Sequence, residues 1–235
     1  MRETAIVLLP GLDGTGTLFR PLLAHLPSPL RPIVVAYPGN EKLGYDALRQ
    51  RVMAALPTEE PFVILGESFS GPLALMAAAS CPPRLQAVVL CATFVRNPLW
   101  IRAAWLRHLV PDFAFRLYPQ FSAARAMLYG YSTRELRAAI LEAIAAVTPA
   151  VLAYRVREVL QVDVSAELSR CPVPILYLRG SRDLVVPQHN SREIAGLSAK
   201  VSVATIAAPH MVLQTRPREA AAAISRFLEQ SVPSA

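Results

Sequence analysis

Ser68 stands in Gly66-Glu67-Ser68-Phe69-Ser70-Gly71, a cluster of small residues around one hydroxyl. The apolar run Phe62-Leu65 ends just before it, and a helical pattern starts just after it. A serine at such a strand-to-helix turn is held in a strained backbone conformation, with its hydroxyl projecting above the sheet. The residues two before and two after must be small, because strand and helix pass close together there. Gly66 and Ser70 meet that need and Gly71 adds room. A hydroxyl is a weak nucleophile at neutral pH; it needs a base, and the base needs an orienting acid. Asp183, past the run Val173-Leu178, and His210, past the run Val201-Ile206, supply both. The pattern predicts that His210 takes the Ser68 proton and later delivers it to a leaving group. Asp183 then fixes the imidazole tautomer and stabilises the imidazolium.

Acyl chemistry at Ser68 also needs two backbone donors for the developing oxyanion. The amide of Phe69, the residue after the nucleophile, is one candidate. The glycine-rich turn Pro10-Gly11-Leu12-Asp13-Gly14-Thr15-Gly16 supplies the other, and Leu12 is the residue assigned to it. A helix beginning at Phe69 would aim its N-terminal amides at the same space. Bland roles suit the neighbours better. Ser70 reads as close packing, Glu67 as a partner for polar groups beneath the site, and Asp13 as a turn stabiliser that also borders the substrate space. His25, His108 and His189 read as structural or surface residues. No His/Cys/Asp/Glu cluster suggests a metal, and Gly14-Thr15-Gly16 lacks the lysine and glycine spacing of a phosphate loop.

The elements that must position these residues follow from apolar periodicity. Strands are expected at Ala5-Leu9, Ile33-Ala36, Phe62-Leu65, Ala87-Leu90, Val173-Leu178 and Val201-Ile206. Helices are expected at Thr17-Leu26, Tyr45-Ala55, Phe69-Ser80, Gln188-Ala195 and Arg218-Gln230. Strands apolar on both faces and separated by helices imply a mostly parallel sheet of about six strands, covered on both sides. From Pro98 to about Ser165 only helical patterns occur, the clearest running from Thr133 to Ala146 with Thr133 as N-cap. The reading is therefore an α/β core over 1–97 and 166–235 with a helical cap inserted at 98–165 after the fourth strand. The expected nucleophile, acid and base all project from carboxyl ends of strands, where open α/β sheets build their sites.

Bulk properties narrow the class. With 235 residues, 53% of them hydrophobic, the chain can bury a substantial core, and disorder is excluded as its main state. No apolar run approaches the roughly 20 residues that span a bilayer, and Ala5-Leu9 ends in Pro10-Gly11 and not in a cleavage site, so a cytoplasmic location is expected. The net charge of +7 does not argue for nucleic acid. Only Lys42 and Lys200 are lysines, and the arginines are spread without a basic run or a basic stripe interleaved with aromatics. Cys81, Cys91 and Cys171 are odd in number and scattered, so buried structural thiols are expected.

Together these residues resemble the α/β-hydrolase superfamily: glycine-rich oxyanion turn, serine elbow, helical cap, acid turn and C-terminal histidine, in that order. Many relatives carry His-Gly where this chain has Pro10-Gly11, and a glycine where it has Ser70; the N-terminal antiparallel strands usual in relatives are expected to be absent. The resemblance implies a carboxylesterase-type serine hydrolase needing no cofactor. The Pro10-Gly11 turn and Tyr37-Pro38-Gly39 are similar to thioesterases, so a thioester or a carrier-protein acyl ester is the alternative substrate. Hydroxynitrile lyases and cofactor-free haloperoxidases share the same three residues. A ligand-binding receptor on the same fold is the non-enzyme alternative, although such proteins often lose one of the three. Nine aromatics in the cap, among them Trp100, Trp105 and Phe121, suggest an apolar lid that receives an acyl or alkyl group. Eight arginines against five acids in the cap leave room for an acidic partner such as an acyl carrier protein.

Overall fold

The computed structural model describes residues 3–98 and 127–231. Six strands form one sheet: β1 (Thr4–Leu9), β2 (Leu30–Val34), β3 (Phe62–Glu67), β4 (Leu85–Cys91), β5 (Ile175–Gly180) and β6 (Val201–Ile206). Their order is β2-β1-β3-β4-β5-β6, and every neighbouring pair is parallel. β1 and β3 are buried along their whole length, as strands covered on both faces must be. Alternate residues serve opposite cores. Val7, Leu9 and Ile64 point into the layer with α2 (Tyr45–Ala54) and α3 (Gly71–Ala78). Ile6, Leu8, Val63 and Leu65 point into the layer with α8 (Pro217–Ser231). The edge strands β2 and β6 are partly exposed, and β2 accommodates Pro32 because an edge position can forgo a ladder donor.

The chain passes from β1 outward to β2, then crosses back to β3 on the other side of β1. The strand order therefore reverses between β1 and β3, and their carboxyl ends open a crevice at that switch point. The turn 10–16 and the elbow around Ser68 emerge on either side of it.

Most strands and helices differ from the sequence expectation by a residue or two at their ends, and three show a clear local reason. The helix expected at Thr17-Leu26 is a 3-10 turn, Thr17–Phe19, followed by the short α1 (Arg20–Leu23). Pro27 disfavours helical backbone at Leu26, so the segment ends in turn hydrogen bonds to Leu22. β2 starts at Leu30, earlier than Ile33, since pairing with β1 extends through Thr4↔Leu30. The helix after the elbow is regular only from Gly71: Ser68–Ser70 make a 3-10 turn, and Pro72 sits in the first α-turn, where its missing N–H costs nothing. The three-thiol expectation is also corrected. Cys91 and Cys171 are buried, but Cys81 is exposed, because it occupies a left-handed turn (φ 50°) just past α3.

Between β4 and β5 the chain forms α4 (Arg134–Ala145) and α5 (Pro149–Val159) in the cap, then α6 (Ser165–Arg170), whose Leu168 packs into the core of the sheet. Thr133 caps α4 by accepting from the Leu136 amide at 3.1 Å, as its position predicts, and Thr148 does the same for α5. At the neck, Val164 N–H donates to the Val95 carbonyl at 2.8 Å. Arg96 there pairs with Asp163 and, at 3.0 Å, with Glu193 of α7 (Gln188–Leu197). No single described helix is long and apolar enough to cross a membrane.

Candidate active site

Ser68 adopts φ 49°, a left-handed conformation that a side chain rarely takes and that turns its hydroxyl out of the strand. Its neighbours hold it there. A Cβ added at Gly66 would lie 2.5 Å from the Ser70 carbonyl and 2.9 Å from the Ala74 methyl, which shows how closely strand and helix cross. The Thr93 hydroxyl donates to the Ser68 carbonyl, and Thr93 is in turn anchored by the Tyr177 hydroxyl. The Tyr45 hydroxyl donates to the Phe69 carbonyl at 3.0 Å. An unfavourable backbone angle persists where the surroundings over-determine it in this way.

Above the sheet, His210 Nε2 lies 3.0 Å from Ser68 Oγ, and His210 Nδ1 lies 2.9 Å from Asp183 Oδ2. Both partner side chains are almost fully buried. The second carboxylate oxygen of Asp183 accepts from the amides of Val185 and Val186, each at 2.8 Å. With Oδ1 fixed on two N–H groups, only Oδ2 is left for the imidazole. That assigns the proton to Nδ1 and leaves Nε2 as the acceptor facing the Ser68 hydroxyl. The structure thus brings together the three residues expected from sequence. Of the other histidines, His25 joins Pro21 and Arg218, and His189 joins Asn190, both away from this cluster. His108 lies outside the described residues.

The turn after β1 runs directly beside Ser68: a Cβ at Gly11 would sit 4.0 Å from that of Ser68. The Gly14 amide donates to the Gly11 carbonyl at 3.0 Å. Since C=O and N–H of a trans peptide point in opposite directions, the Leu12 N–H is directed out of the turn. Asp13 does what its turn position suggests, accepting from the Thr15 amide at 2.9 Å and from its hydroxyl; it also borders the cavity described below.

Ser70, expected only to pack, is a hydrogen-bond hub. Its hydroxyl donates to the Pro10 carbonyl and accepts from the Tyr37 hydroxyl at 2.8 Å, tying the elbow to the turn after β1. Burial pushes the Tyr37 hydroxyl well above its ordinary pKa, so it stays a neutral donor. Sequence reasoning missed Arg155 altogether. It is the largest fully buried side chain among the described residues, and its guanidinium meets the carbonyls of Leu12, Asp13 and Pro38. One signal existed: Arg155 follows Val151 by four residues, on the buried face of α5.

Glu67 lies buried behind Ser68 and accepts from Gln214 Nε2 at 2.9 Å. Burial pushes its pKa up to about 7, with Asp13 adding to the rise while Gln214 and His210 oppose it. A folded-state value above the unfolded 4.5 means that the native protein holds a proton which the unfolded chain has released. The contribution of Glu67 to stability is therefore fully present below about pH 4.5 and is lost as pH rises to 7, on the order of 3 kcal/mol at roughly 1.4 kcal/mol per unit. Glu67→Gln is expected to remove that decline. Urea unfolding at pH 5 and pH 8 checks it, and equal pH slopes in both proteins would contradict the assignment.

Ser68 and His210 open on a cavity of about 310 Å³, at the small end of ligand pockets. Its described lining is largely aliphatic, with Ile140 and Ile144 from α4, Leu152, Val156 and Val159 from α5, and Met211 next to His210, joined by the rings of Phe69 and Phe94. Trp100, Trp105 and Phe121 lie outside the described residues. Tyr129, Tyr131 and Tyr154, the described aromatics of the cap, do not line this cavity. Among the described residues no group of three or more His, Cys, Asp or Glu side chains could hold a metal ion.

A model of the alpha/beta hydrolase family matches residues 6–224. The chain belongs to the alpha/beta hydrolase family. Within it, the chain is similar to a pimeloyl-[acyl-carrier protein] methyl ester esterase of Xanthomonas oryzae pv. oryzae, at 29% identity over 97% of this chain and 96% of the relative. A protein of the same name from Stenotrophomonas maltophilia is 28% identical, over 99% of this chain and 96% of its own. Among solved structures, a bromoperoxidase from Bacillus anthracis superposes with a TM-score of 0.84 at 17% identity, covering 97% of this chain and 92% of its own. An enol-lactonase from Burkholderia xenovorans gives 0.78 at 19% identity, covering 98% and 93%. At these identities the structural likeness speaks for the fold alone.

Proposed function

We propose that this family member hydrolyses the carboxylic ester of an aliphatic acyl chain through an acyl-enzyme on Ser68. The observation that carries this reading is the continuous Asp183–His210–Ser68 relay opening on an aliphatic cavity. Ser68 Oγ attacks the ester carbonyl as His210 Nε2 takes its proton. The N–H groups of Phe69 and Leu12 receive the oxyanion. The tetrahedral intermediate collapses, and the imidazolium returns the proton to the departing alkoxide, which leaves as the alcohol. Water, deprotonated by His210, then attacks the acyl-enzyme; the acid departs and Ser68 recovers its proton. Each step uses side chains and amides of this chain alone and conserves protons over the cycle.

The names of the relatives favour a methyl ester on an acyl chain borne by a carrier protein. In such a substrate the bond broken is the ester at the free end, and the thioester to the carrier survives. The aliphatic wall of α4 and α5 suits a run of methylenes, whose burial contributes about 0.8 kcal/mol per CH₂. Acidic carrier surfaces would meet arginines of the cap, which has seven besides the buried Arg155 against five acids.

A fluorophosphonate probe and a matched substrate series test the proposal. We expect Ser68-dependent labelling, with kcat/KM rising along a series of linear methyl esters until the chain fills the cavity. Carrier-linked methyl esters are expected to outperform free ones, with the gain lost in high salt. Absence of labelling would remove the enzyme reading. A several tens-fold preference for acyl thioesters over oxygen esters of equal length would replace ester by thioester hydrolysis.

A further inference from the structure

Arg155 is 1% exposed, although a buried guanidinium is costly to desolvate. It comes from α5 of the cap, yet its charged end lies among carbonyls of the sheet domain. Nη1 donates to the Leu12 carbonyl at 2.8 Å and to the Asp13 carbonyl at 2.9 Å; Nη2 donates to the Pro38 carbonyl at 2.9 Å. The guanidinium carbon also stands 5.7 Å from the centre of the Tyr37 ring, whose hydroxyl holds Ser70. A Cβ at Gly14 would fall 2.6 Å from Nη1, so the turn wraps tightly around the cation.

These contacts bear on one peptide in particular. The Leu12 N–H belongs to the peptide whose carbonyl, on Gly11, is tied to the Gly14 amide. The peptide on the other side of the Leu12 Cα has its carbonyl tied to Arg155. With both planes fixed, the two dihedrals of Leu12 have no freedom left. We infer that Arg155 is a positioning residue that preorganises the oxyanion hole: it fixes the Leu12 amide toward the space above Ser68 and makes that alignment conditional on a seated cap. The inference rests on the esterase reading, because it gives the Leu12 amide a charge to stabilise. Donors aimed before the reaction begins stabilise the transition state without reorganisation, which is where such a device acts.

A side chain that merely staples the cap to the core would produce a different result from one that aims an amide. Arg155→Lys keeps the charge but cannot fork across three carbonyls, and Arg155→Met keeps the stem alone. In whichever variant retains a cooperative thermal transition, we expect kcat for a methyl ester to fall roughly ten- to a hundredfold, short of the hundred- to thousandfold loss when an oxyanion donor is removed outright. KM should change by less than about threefold, as for an interaction made mainly in the transition state. Affinity for a trifluoromethyl ketone, which forms a tetrahedral adduct on Ser68, should fall in parallel with kcat. Arg155→Lys should retain more activity than Arg155→Met. An unchanged kcat and adduct affinity in a folded variant would overturn the inference, as would a change confined to KM.

Hydrogen exchange of the unmodified protein gives a second reading that needs no variant. Amides of residues 11–15 and of α5 should open together, with the same dependence on sub-denaturing urea. Exchange of the turn independently of α5 overturns the coupling even if no Arg155 variant folds. Failure of the esterase reading is distinguishable, because it appears in the unmodified protein as absence of fluorophosphonate labelling at Ser68.

Discussion

Ser68→Ala is expected to lower kcat for ester hydrolysis by about 10⁶-fold while leaving the fold intact. The oxygen removed makes one hydrogen bond, to His210, and the constraints on the elbow act on its backbone: Thr93 on the Ser68 carbonyl, Tyr45 on the Phe69 carbonyl. Alanine keeps all of these, so thermal unfolding should match that of the unmodified protein closely. His210→Ala should cost a similar factor, because a hydroxyl without its base is no better than no hydroxyl. The double variant should then lose little beyond either single one, since residues that act as a unit are non-additive. Steady-state kinetics on a linear methyl ester measure all three. A Ser68→Ala protein with more than about a hundredth of the original kcat would place the nucleophile elsewhere, since no loss that small accompanies removal of an attacking group.

Asp183→Asn is expected to cost about 10⁴-fold in kcat, with the protein otherwise unperturbed. The reason lies in the two amides on Oδ1. Val185 and Val186 present N–H groups to that position, so an asparagine must place its carbonyl oxygen there. Its NH₂ then occupies the Oδ2 position and donates to His210 Nδ1, where a carboxylate accepts. The imidazole is driven to its other tautomer, with the proton on Nε2 facing Ser68. Two donors then confront each other and the hydroxyl proton has no acceptor. Asp183→Ala removes the wrong donor together with the orienting acid, leaving the imidazole free to choose its tautomer. It is expected to be no worse than Asp183→Asn, despite being the larger truncation. Equal kcat values for Asp183→Asn and the unmodified protein would mean that the acid lies elsewhere. The proton positions on His210 can be read directly from imidazole nitrogen chemical shifts.

Much of this site is legible in the sequence because its chemistry sits at strand ends. A strand buried on both faces announces itself as an unbroken apolar run, so the residues just past its carboxyl end can be located without coordinates. Ser68 and Asp183 each follow such a run, His210 follows the partly exposed edge strand β6, and the sheet order then brings the three together. Ser70 and Arg155 escape notice for the opposite reason. Their partners are main-chain carbonyls far away in sequence, at Pro10, Leu12, Asp13 and Pro38. A carbonyl is common to every residue and leaves no letter in the sequence to pair with. Ser70 also satisfies the demand for a small residue so well that packing alone explains its identity. The leucines of residues 17–26 keep helical spacing beyond the end of α1 at Leu23, and only the proline at position 27 marks that the helix must stop.

The division of labour between the two parts of the chain has a consequence for how this protein can change. Ser68, Asp183 and His210 all hang from the sheet, whereas α4 and α5 build much of the cavity wall beside them. On the proposed function, a recombination event exchanging the segment between β4 and β5 would swap specificity and spare the chemistry. Arg155 limits that freedom: it travels with the incoming segment, yet its partners stay behind on the recipient at Leu12, Asp13 and Pro38. Viable chimeras should be those that inherit a guanidinium at this position of α5, or that import the turn after β1 along with the cap. The unit of inheritance for this active site is the cap plus one distant turn.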